Sequence, residues 1–312
     1  MKILVTRRLP ETVMRRAHAL GATIHDSDVP LTSDARSEAL QTYDAILCTL
    51  GDRFSSDMFA EPTRCKIIAN FGVGYDHIDA AAARAAGVEV TNTPGVLTDA
   101  TADLAMTLML MVLRRASEGE RLARSGDWTG WTPTQMLGRG VTGATLGIAG
   151  MGRIGQAMAR KAHFGFGMKI CYTARGDKAL DFLADRVDLQ TLAETADVLA
   201  VHAPGGAATR HMINRDVFEA MKPTGILINT ARGDVVDQKQ LIAALQSGAI
   251  AAAGLDVYEG EPDIPAELRA LENVTLLPHL GSATLEVREA MGNMALDNIE
   301  AFLNGRQVPN PV

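Results

Sequence analysis

The sequence predicts an α/β protein with two domains, each a doubly wound parallel sheet covered by helices. Three observations support this prediction. Short apolar runs of β-forming residues alternate with helical patterns, these runs fall into two sets, and the 312 residues of the chain are more than one compact core needs. Hydrophobic residues make up 47% and charged residues 21% of the chain, a balance that is typical of folded domains and argues against disorder.

The predicted strands form one set near the N-terminus and a second set in the rest of the chain. The first set comprises Ile3–Val5, 46–48, 66–69 and 88–90. The second set comprises Thr145–Ala149, 169–172, Val198–Val201, 226–228, 250–254 and 274–277. Helical stretches separate the strands in both sets, so each sheet is expected to be parallel.

Two interruptions of this pattern mark the domain boundaries. The segment TNTPGVLTD places Pro and Gly within 94–98, before a long helix, and a final helix over Leu285–Leu303 precedes a polar tail. If the final helix packs back on the first domain, the second domain is an insertion within it. We therefore expect a first domain of residues 1–98 and 285–312 and a second domain of residues 99–284.

Charge and composition exclude several classes of partner. The formal net charge is -7 and no basic stripe stands out, so a nucleic-acid partner is not expected. The longest apolar run, 102–113, is too short to span a bilayer, which predicts a helix buried in the protein or against another subunit.

The N-terminus and the cysteines bear on the compartment. No secretion signal precedes the first strand. The three cysteines, Cys48, Cys65 and Cys171, are scattered and odd in number, which indicates buried free thiols. We expect a soluble, cytoplasmic protein that does not bind a membrane.

A glycine motif predicts a dinucleotide site in the second domain. The sequence GMGRIG follows the apolar strand TLGIA and opens a helix, which places Gly150, Gly152 and Gly155 in a G-x-G-x-x-G pattern. The glycines allow a tight turn, close approach of the backbone to a pyrophosphate and close helix–strand packing, and the helix start at Arg153 and Ile154 offers unpaired N–H groups. This context favours a Rossmann-type cofactor domain over a glycine-rich turn without a ligand.

The end of the next strand bears on the choice between the two nicotinamide cofactors. A site for NAD usually has Asp or Glu there to hold the ribose 2′-hydroxyl. This chain has Ala174 at that position and Arg175 after it, so the pattern favours NADP(H), with NAD(H) still possible. The alternative is that Arg175 is a solvated loop residue and Asp177 takes the ribose.

Three polar residues late in the chain predict a catalytic site. Arg232, Glu261 and His279 each follow the end of a predicted strand, the edge at which parallel α/β sheets bind ligands. Reduction of a keto acid needs a cation for the carboxylate and a proton donor for the carbonyl oxygen. Arg232 suits the first task and His279 the second, and a glutamate bonded to the imidazole would favour and orient its protonated form.

Each of these residues also has a simpler interpretation when it is taken alone. A single histidine after a strand is more often structural than catalytic, and a single Arg or Glu in a loop is usually solvated. Because the three residues follow a dinucleotide motif in the same chain, the catalytic interpretation is favoured.

Two further polar residues also lie near strand ends. His202 is either structural or lines the cofactor cleft, and Asp256 is placed to hold the nicotinamide carboxamide. The seven histidines have no ligand spacing, so no metal is expected.

The motifs GMGRIG, INTARGDVVD, GLDVYEGEP and PHLGSAT, in this order, resemble those of the D-isomer-specific 2-hydroxyacid dehydrogenases. The resemblance extends from the first strand to the VPNPV tail. It implies a flavodoxin-like substrate domain formed by both chain ends, with the Rossmann-type domain inserted, and Arg232, Glu261 and His279 as catalytic residues. Beyond the residues already named, it implies cofactor contacts at Thr101, Pro204, Thr209, Thr230, Ala231 and Gly281.

The resemblance also implies substrate contacts in the first domain. In NFGVGYDHID, the backbone N–H groups of Val73 and Gly74 would meet the substrate carboxylate, although the glycines also suit a plain turn. Apart from the resemblance, the residues expected to shape the pocket are Leu50, Gly51, Arg53 and Phe71.

Within the family, the chain is most similar to the glyoxylate and hydroxypyruvate reductases. Its YTAR segment resembles their NADP-preferring form, and GDWTGWTPTQMLGRG resembles a segment in which a tryptophan, here Trp131, reaches toward a neighbouring subunit's active site. The resemblance thus implies a homodimer, while a tryptophan that only packs its own loop is the alternative. Two other functions stay open: dehydrogenation of a bulkier or phosphorylated acid, and nucleotide sensing without catalysis.

Overall fold

The chain folds into two compact units. The computed structural model describes all 312 residues. The first unit consists of Met1–Leu97 and Ser282–Val312, and the second unit consists of Thr98–Gly281.

The first unit contains five strands that alternate with helices. Its elements before residue 98 are β1 (Ile3–Val5), α1 (Glu11–Ala19), β2 (Thr23–Ile24), α2 (Ser33–Thr42), β3 (Ala45–Cys48), β4 (Ile67–Asn70), α3 (Ala80–Ala85) and β5 (Glu89–Thr91), with a 3-10 turn at Ser56–Phe59. The sheet order is β2-β1-β3-β4-β5 and every pair is parallel. This is the flavodoxin-like order. β3 and β4 are buried along their whole length, as strands covered on both faces must be.

The second unit contains seven strands. Its elements are α4 (Thr98–Leu113), α5 (Ala116–Ser125), β6 (Thr145–Ala149), α6 (Arg153–Phe166), β7 (Lys169–Thr173), β8 (Ala184–Arg186), α7 (Leu189–Thr195), β9 (Val198–Val201), α8 (Arg215–Ala220), β10 (Ile226–Asn229), α9 (Gln238–Ser247), β11 (Ala252–Leu255), α10 (Ala266–Arg269) and β12 (Val274–Leu276), with a 3-10 turn at Gly233–Val235. The sheet order β12-β11-β10-β9-β6-β7-β8 is the Rossmann order with one added strand.

The chain returns to the first unit through α11 (Leu285–Leu303). Its apolar face carries Ala295, Leu296 and Ile299, which are fully buried in the core of that unit. Gly292 is required on this face, because a Cβ there would lie 2.6 Å from Val13 of α1.

The predicted fold class is confirmed, since both sheets are parallel and doubly wound. The prediction missed two strands, β2 and β8, which lie at the sheet edges. β2 has only two residues and β8 is the exposed or half-buried sequence ADR. Neither carries the apolar run by which the other strands were predicted, because an edge strand buries much less of its surface.

The apolar run at 102–113 belongs to α4, which is buried within the chain itself. Ala102, Ala105, Leu108 and Met109 are fully buried. These residues belong to the same core cluster as the inner side chains of β6 and α6. No helix of the structure combines the length and the apolar character that crossing a membrane requires.

Candidate active site

The predicted catalytic residues lie in the loops that follow three adjacent strands of the second unit. β10, β11 and β12 are neighbours in the sheet and run parallel. Arg232, Glu261 and His279 therefore follow three carboxyl ends at one edge of the sheet, as the sequence predicted from their positions. In α/β sheets this edge is the one that binds ligands.

His279 and Glu261 form a hydrogen-bonded pair. The imidazole Nδ1 lies 2.8 Å from Oε2 of Glu261, and the two side chains are 33% and 30% exposed. The other carboxylate oxygen, Oε1, accepts the backbone N–H of Tyr258 at 2.9 Å. Because both oxygens are held, the carboxylate fixes the ring, and Nε2 is the nitrogen left for another partner.

The electrostatic surroundings keep Glu261 ionised. Partial burial pushes the pKa of this carboxyl upward. The hydrogen bond and charge of His279, the Tyr258 N–H and the charge of Arg232 outweigh burial, so the pKa lies below its ordinary value. An ionised carboxylate is the form that accepts a hydrogen bond from the imidazole at Nδ1.

Arg232 is half-buried at the start of the 3-10 turn after β10. Its backbone carbonyl accepts the side-chain amide of Asn229 at 2.9 Å, and its Nη1 donates to the carbonyl of Ala231 at 2.8 Å. The guanidinium charge of Arg232 is the smallest of the contributions that lower the pKa of Glu261, after His279 and the Tyr258 N–H.

Asp256 fixes the turn that carries His279. Asp256 is fully buried. Its two carboxylate oxygens accept hydrogen bonds from the backbone N–H groups of Leu280 at 2.6 Å and Gly281 at 2.8 Å. Its backbone carbonyl accepts a hydrogen bond from the backbone N–H of His279 at 2.9 Å. His279 has a φ of +55°, a left-handed conformation that a non-glycine residue rarely adopts. The three bonds to Asp256 hold that conformation. Burial raises the pKa of Asp256.

The glycine motif forms a tight turn between β6 and α6. Gly150 has a φ of +104°, and a Cβ there would lie 2.6 Å from the backbone nitrogen of Ala203. A Cβ at Gly155 would lie 2.4 Å from the carbonyl oxygen of Gly150, so helix and strand could not pack as closely with any other residue. At Gly152 a Cβ would meet nothing within 4 Å. That open space is where a pyrophosphate approaches the backbone in this fold.

The start of α6 and one nearby hydroxyl also suit a dinucleotide. α6 begins at Arg153, and no side chain caps the N–H groups of its first turn. The hydroxyl of Thr230, after β10, is buried without a hydrogen-bond partner. Ala231 follows it, and its N–H donates to Asn229. Together with the space at Gly152, these features fit a bound nicotinamide dinucleotide.

The other predicted cofactor residues lie at the same edge of the sheet. Thr101, in the first turn of α4, is buried near Gly281, where a Cβ would lie 3.4 Å from both Thr101 and Asp256. After β9, the hydroxyl of Thr209 donates to the carbonyl of Pro204 at 2.5 Å and so closes that loop.

His202 occupies the first position after β9. Its Nε2 lies 3.1 Å from Sδ of Met158 on α6. Burial lowers the pKa of His202 to about 4, so the ring is neutral near pH 7.

The residues after β7 are those that the sequence predicts to bear on the cofactor preference. Arg175 is exposed and Ala174 is half-buried. Asp177, the alternative ribose partner, forms an ion pair with Arg186 at 2.9 Å. The same arginine donates to the carbonyl of Ala174 at 3.3 Å.

In the first unit, the turn after β4 exposes backbone N–H groups. The side-chain amide of Asn70 donates to the carbonyls of Gly72 and Gly74 at 3.0 and 2.9 Å, and that of Asn92 donates to Val73 at 2.8 Å. No hydrogen bond within the chain uses the N–H groups of Val73 and Gly74. The turn thus has its carbonyls occupied and two donors available for an anion.

The turn after β3 is held by a buried carboxylate. Asp52 is fully buried and accepts the hydroxyl of Thr6 at 2.6 Å and the N–H of Thr49 at 3.1 Å. Between these anchors Leu50 is 36% exposed, and a Cβ on Gly51 would lie 3.0 Å from both Arg7 and Pro30.

Trp131 lies in the segment between α5 and β6 and is 78% exposed. Its neighbour in sequence, Trp128, is 55% exposed and donates to Gln135 at 3.3 Å.

Several residues that hold these groups in place were not predicted from the sequence. Asn70, Asn92 and Asp52 anchor the turns of the first unit, and Glu259 joins an ion-pair cluster in the second unit. A signal existed for two of them, because Asn70 ends β4 and Asp52 follows β3 closely, and a polar residue at a buried strand end needs a hydrogen-bond partner. Nothing in the sequence pairs Glu259 with its partners, which lie 48 and 49 residues away.

The protein is similar to known enzymes over its whole length. The doubly wound sheet and its glycine turn fit a dinucleotide-binding enzyme. The NAD-binding domain of the D-isomer specific 2-hydroxyacid dehydrogenases matches residues 106–281 and makes the protein a nicotinamide-dependent oxidoreductase. The glyoxylate reductase of Thermococcus litoralis is 43% identical to the chain, with 100% of the chain and 96% of that protein aligned. The chain belongs to the D-isomer-specific 2-hydroxyacid dehydrogenases, as its motifs predicted, and is an oxidoreductase that acts on 2-hydroxy acids.

Solved structures support the same assignment. A protein from Thermus thermophilus has a TM-score of 0.92 and 42% identity, with both chains covered completely. An NADPH-dependent glyoxylate/hydroxypyruvate reductase from Sinorhizobium meliloti, in complex with NADP and malonate, has a TM-score of 0.86 and 36% identity, with 100% of this chain and 96% of that chain covered.

Proposed function

We propose that the protein reduces a small 2-keto acid, glyoxylate or hydroxypyruvate, to the D-2-hydroxy acid with NADPH. The observation that carries this proposal is the His279–Glu261 hydrogen bond of 2.8 Å at the ligand-binding edge of a dinucleotide-binding sheet. The charge of Arg232 contributes to lowering the pKa of Glu261 in this pair. The similarity to glyoxylate reductases supports the choice of substrates.

Each catalytic residue has one task in this proposal. Arg232 binds the substrate carboxylate, for which its guanidinium is suited in charge and shape. His279 donates a proton from Nε2 to the carbonyl oxygen, while Glu261 holds the ring through Nδ1 and stabilises its protonated form. When bound, the reduced nicotinamide supplies the hydride that the carbonyl carbon receives. The carbonyl thus becomes CH–OH, and His279 is left neutral until it regains a proton from solvent.

We further propose that the first unit supplies the remaining substrate contacts. The available N–H groups of Val73 and Gly74 suit a carboxylate, and Leu50 and Gly51 limit the size of the group at the third carbon.

The cofactor preference is proposed from the residues after β7. A phosphate on the ribose meets no carboxylate at Ala174, and the exposed Arg175 has no ion pair in the chain. Asp177 is engaged with Arg186, which makes it a weaker partner for a ribose hydroxyl. These features favour NADP(H), and NAD(H) remains a second substrate.

The remaining cofactor contacts are proposed from their placement. Gly150, Gly152, Gly155, Arg153 and Ile154 form the turn and helix start that would hold the pyrophosphate. The residues that would surround the rest of the dinucleotide are Thr101, His202, Pro204, Thr209, Thr230, Ala231, Asp256 and Gly281.

We also propose a homodimer that works in the cytoplasm. Trp131 is mostly exposed, as expected for an aromatic side chain that a second subunit covers. The three cysteines are free and buried, which suits a reducing compartment.

The experiment that tests the function is the steady-state oxidation of NADPH and NADH with glyoxylate, hydroxypyruvate, pyruvate and phenylpyruvate. Fast turnover of glyoxylate or hydroxypyruvate with NADPH is the expected result. Turnover of phenylpyruvate alone would replace the proposed substrates with bulkier acids. Nucleotide binding without turnover of any keto acid would favour the sensing function.

A further inference from the structure

A cluster of charged residues joins the loops that carry the proposed catalytic residues Arg232 and Glu261 and has no part in the mechanism above. Glu259 is in the loop after β11, between Asp256 and Glu261, with 26% of its side chain exposed. Its Oε1 accepts Nη2 of Arg210 at 2.7 Å and Nε2 of His211 at 2.9 Å. Both donors belong to the loop after β9, so one carboxylate oxygen joins two of the loops that line the edge of the sheet.

His211 is also fixed to the turn that carries Arg232. Its φ is +50°, and its N–H donates to the carbonyl of Asp234 at 2.8 Å. The imidazole Nδ1 lies 3.7 Å from Oδ2 of Asp237, and Arg210 lies 4.0 Å from Oδ2 of Asp234. Ile213 then pairs with Val236 as a short parallel bridge. The loop after β9 is therefore attached to residues 234–237 by backbone and side-chain contacts.

The third connection runs directly between the loops after β10 and β11. A Cβ on Gly233 would lie 1.9 Å from the carbonyl carbon of Tyr258 and 2.4 Å from the backbone nitrogen of Glu259. That nitrogen donates to the side chain of Gln238 at 3.2 Å. The residue next to Arg232 thus packs on the backbone three residues before Glu261, and a shift of one loop must move the other.

We propose that Glu259, together with Arg210 and His211, is a positioning group that sets the separation of Arg232 from Glu261. In the proposed function, this separation decides whether the substrate carboxylate and the proton donor act on one molecule at the same time. The inference rests on that function. The charged groups that contact Glu259 are Arg210 and His211, both from the loop after β9. These two residues in turn lie near Asp234 and Asp237 of the loop after β10.

The test compares Glu259→Ala with Glu259→Gln. The amide oxygen of glutamine still accepts hydrogen bonds from Arg210 and His211, whereas alanine accepts none. We expect E259A to lower kcat with the keto acid by about tenfold or more and to raise its KM, and E259Q to stay within about threefold of the wild type. Both variants should keep the wild-type Tm within a few degrees, since a partly exposed ion pair contributes little stability.

Two further variants sharpen the test. His211→Asn keeps a residue that tolerates a left-handed backbone but shortens the side chain, so a smaller loss of kcat is expected than in E259A. Glu272→Ala removes an exposed ion pair with Arg121, at 2.6 Å, which lies before β12 and away from the cluster. This matched control should leave kcat and KM unchanged. The Kd for NADPH, measured by the cofactor's fluorescence without substrate, should also stay within about threefold in E259A.

The possible outcomes separate this inference from the proposed function. Recovery of activity in E259Q but not in E259A, at equal Tm and equal Kd for NADPH, supports the positioning role. Equal losses in both variants, or a fall in Tm that accounts for the lost activity, overturn it. If the wild type reduces keto acids, His279→Ala is inactive and E259A is fully active, the positioning role alone fails. If the wild type reduces no small keto acid, both proposals fall.

Discussion

The two units present their strand ends in different ways. In the second unit, the loops after β10, β11 and β12 present the side chains of Arg232, Glu261 and His279. A hydrogen bond of 2.8 Å joins His279 to Glu261. In the first unit, the turn after β4 offers backbone N–H groups, and amide side chains such as Asn70 occupy its carbonyls. Proton transfer needs titratable side chains of defined geometry, whereas holding an anion needs only a turn of suitable shape.

The largest expected effect tests the side chains of the second unit. His279→Ala removes the proposed proton donor, so kcat with the keto acid should fall by about 10²–10⁴. The Kd for NADPH should change little, because no part of the glycine turn depends on the imidazole. Steady-state kinetics and cofactor fluorescence measure the two quantities. Full turnover in the variant would refute the role of His279. The second unit would then not be the one that supplies the proton through a side chain.

Arg175→Ala tests the cofactor preference, also in the second unit. If the guanidinium binds the ribose phosphate, the ratio of kcat/KM for NADPH to that for NADH should fall by about tenfold, mainly through KM for NADPH. Activity with NADH serves as the internal control. An unchanged ratio would mean that Arg175 is a solvated loop residue.

Asn70→Ala tests the first unit. The variant loses the two hydrogen bonds to Gly72 and Gly74, so the N–H groups of the turn should lose their fixed direction. We expect KM for the keto acid to rise about 3- to 10-fold with kcat nearly unchanged. The free energy of unfolding should fall by about 1–3 kcal/mol, since Asn70 is buried. A loss in kcat as large as that of H279A would show that the two units do not divide the work as proposed.

The same contrast explains what the sequence could predict. The carboxyl ends of parallel strands meet at one edge, so the alternating pattern was enough to place Arg232, Glu261 and His279 at the same edge of the sheet. That their strands are neighbours became clear only from the sheet order. The glycine motif predicted the turn at Gly150 because only glycine fits there. The edge strands β2 and β8 could not be predicted, since they bury too little apolar surface. Contacts such as Glu259 with Arg210 depend on how loops fold over the sheet, and no local spacing encodes them.

His202 allows a smaller test within the second unit, of how burial affects the pKa of a histidine. It has no carboxylate partner, whereas His279 is hydrogen-bonded to Glu261. Burial lowers the pKa of His202 to about 4, whereas the unfolded chain binds a proton near pH 6.5. The unfolded state therefore holds more protons between these values, and the free energy of unfolding falls as the pH falls through this window.

His202→Gln removes this one titration. Between pH 6.5 and 4, its free energy of unfolding should fall less steeply than that of the wild type, by up to about 1.4 kcal/mol per pH unit. Urea unfolding of the protein without cofactor at several pH values measures the difference, and above pH 7 the two curves should run parallel. Identical slopes below pH 6.5 would mean that the ring takes up its proton in the folded state as readily as in the unfolded one. The inference that burial keeps His202 neutral in the folded protein would then be wrong.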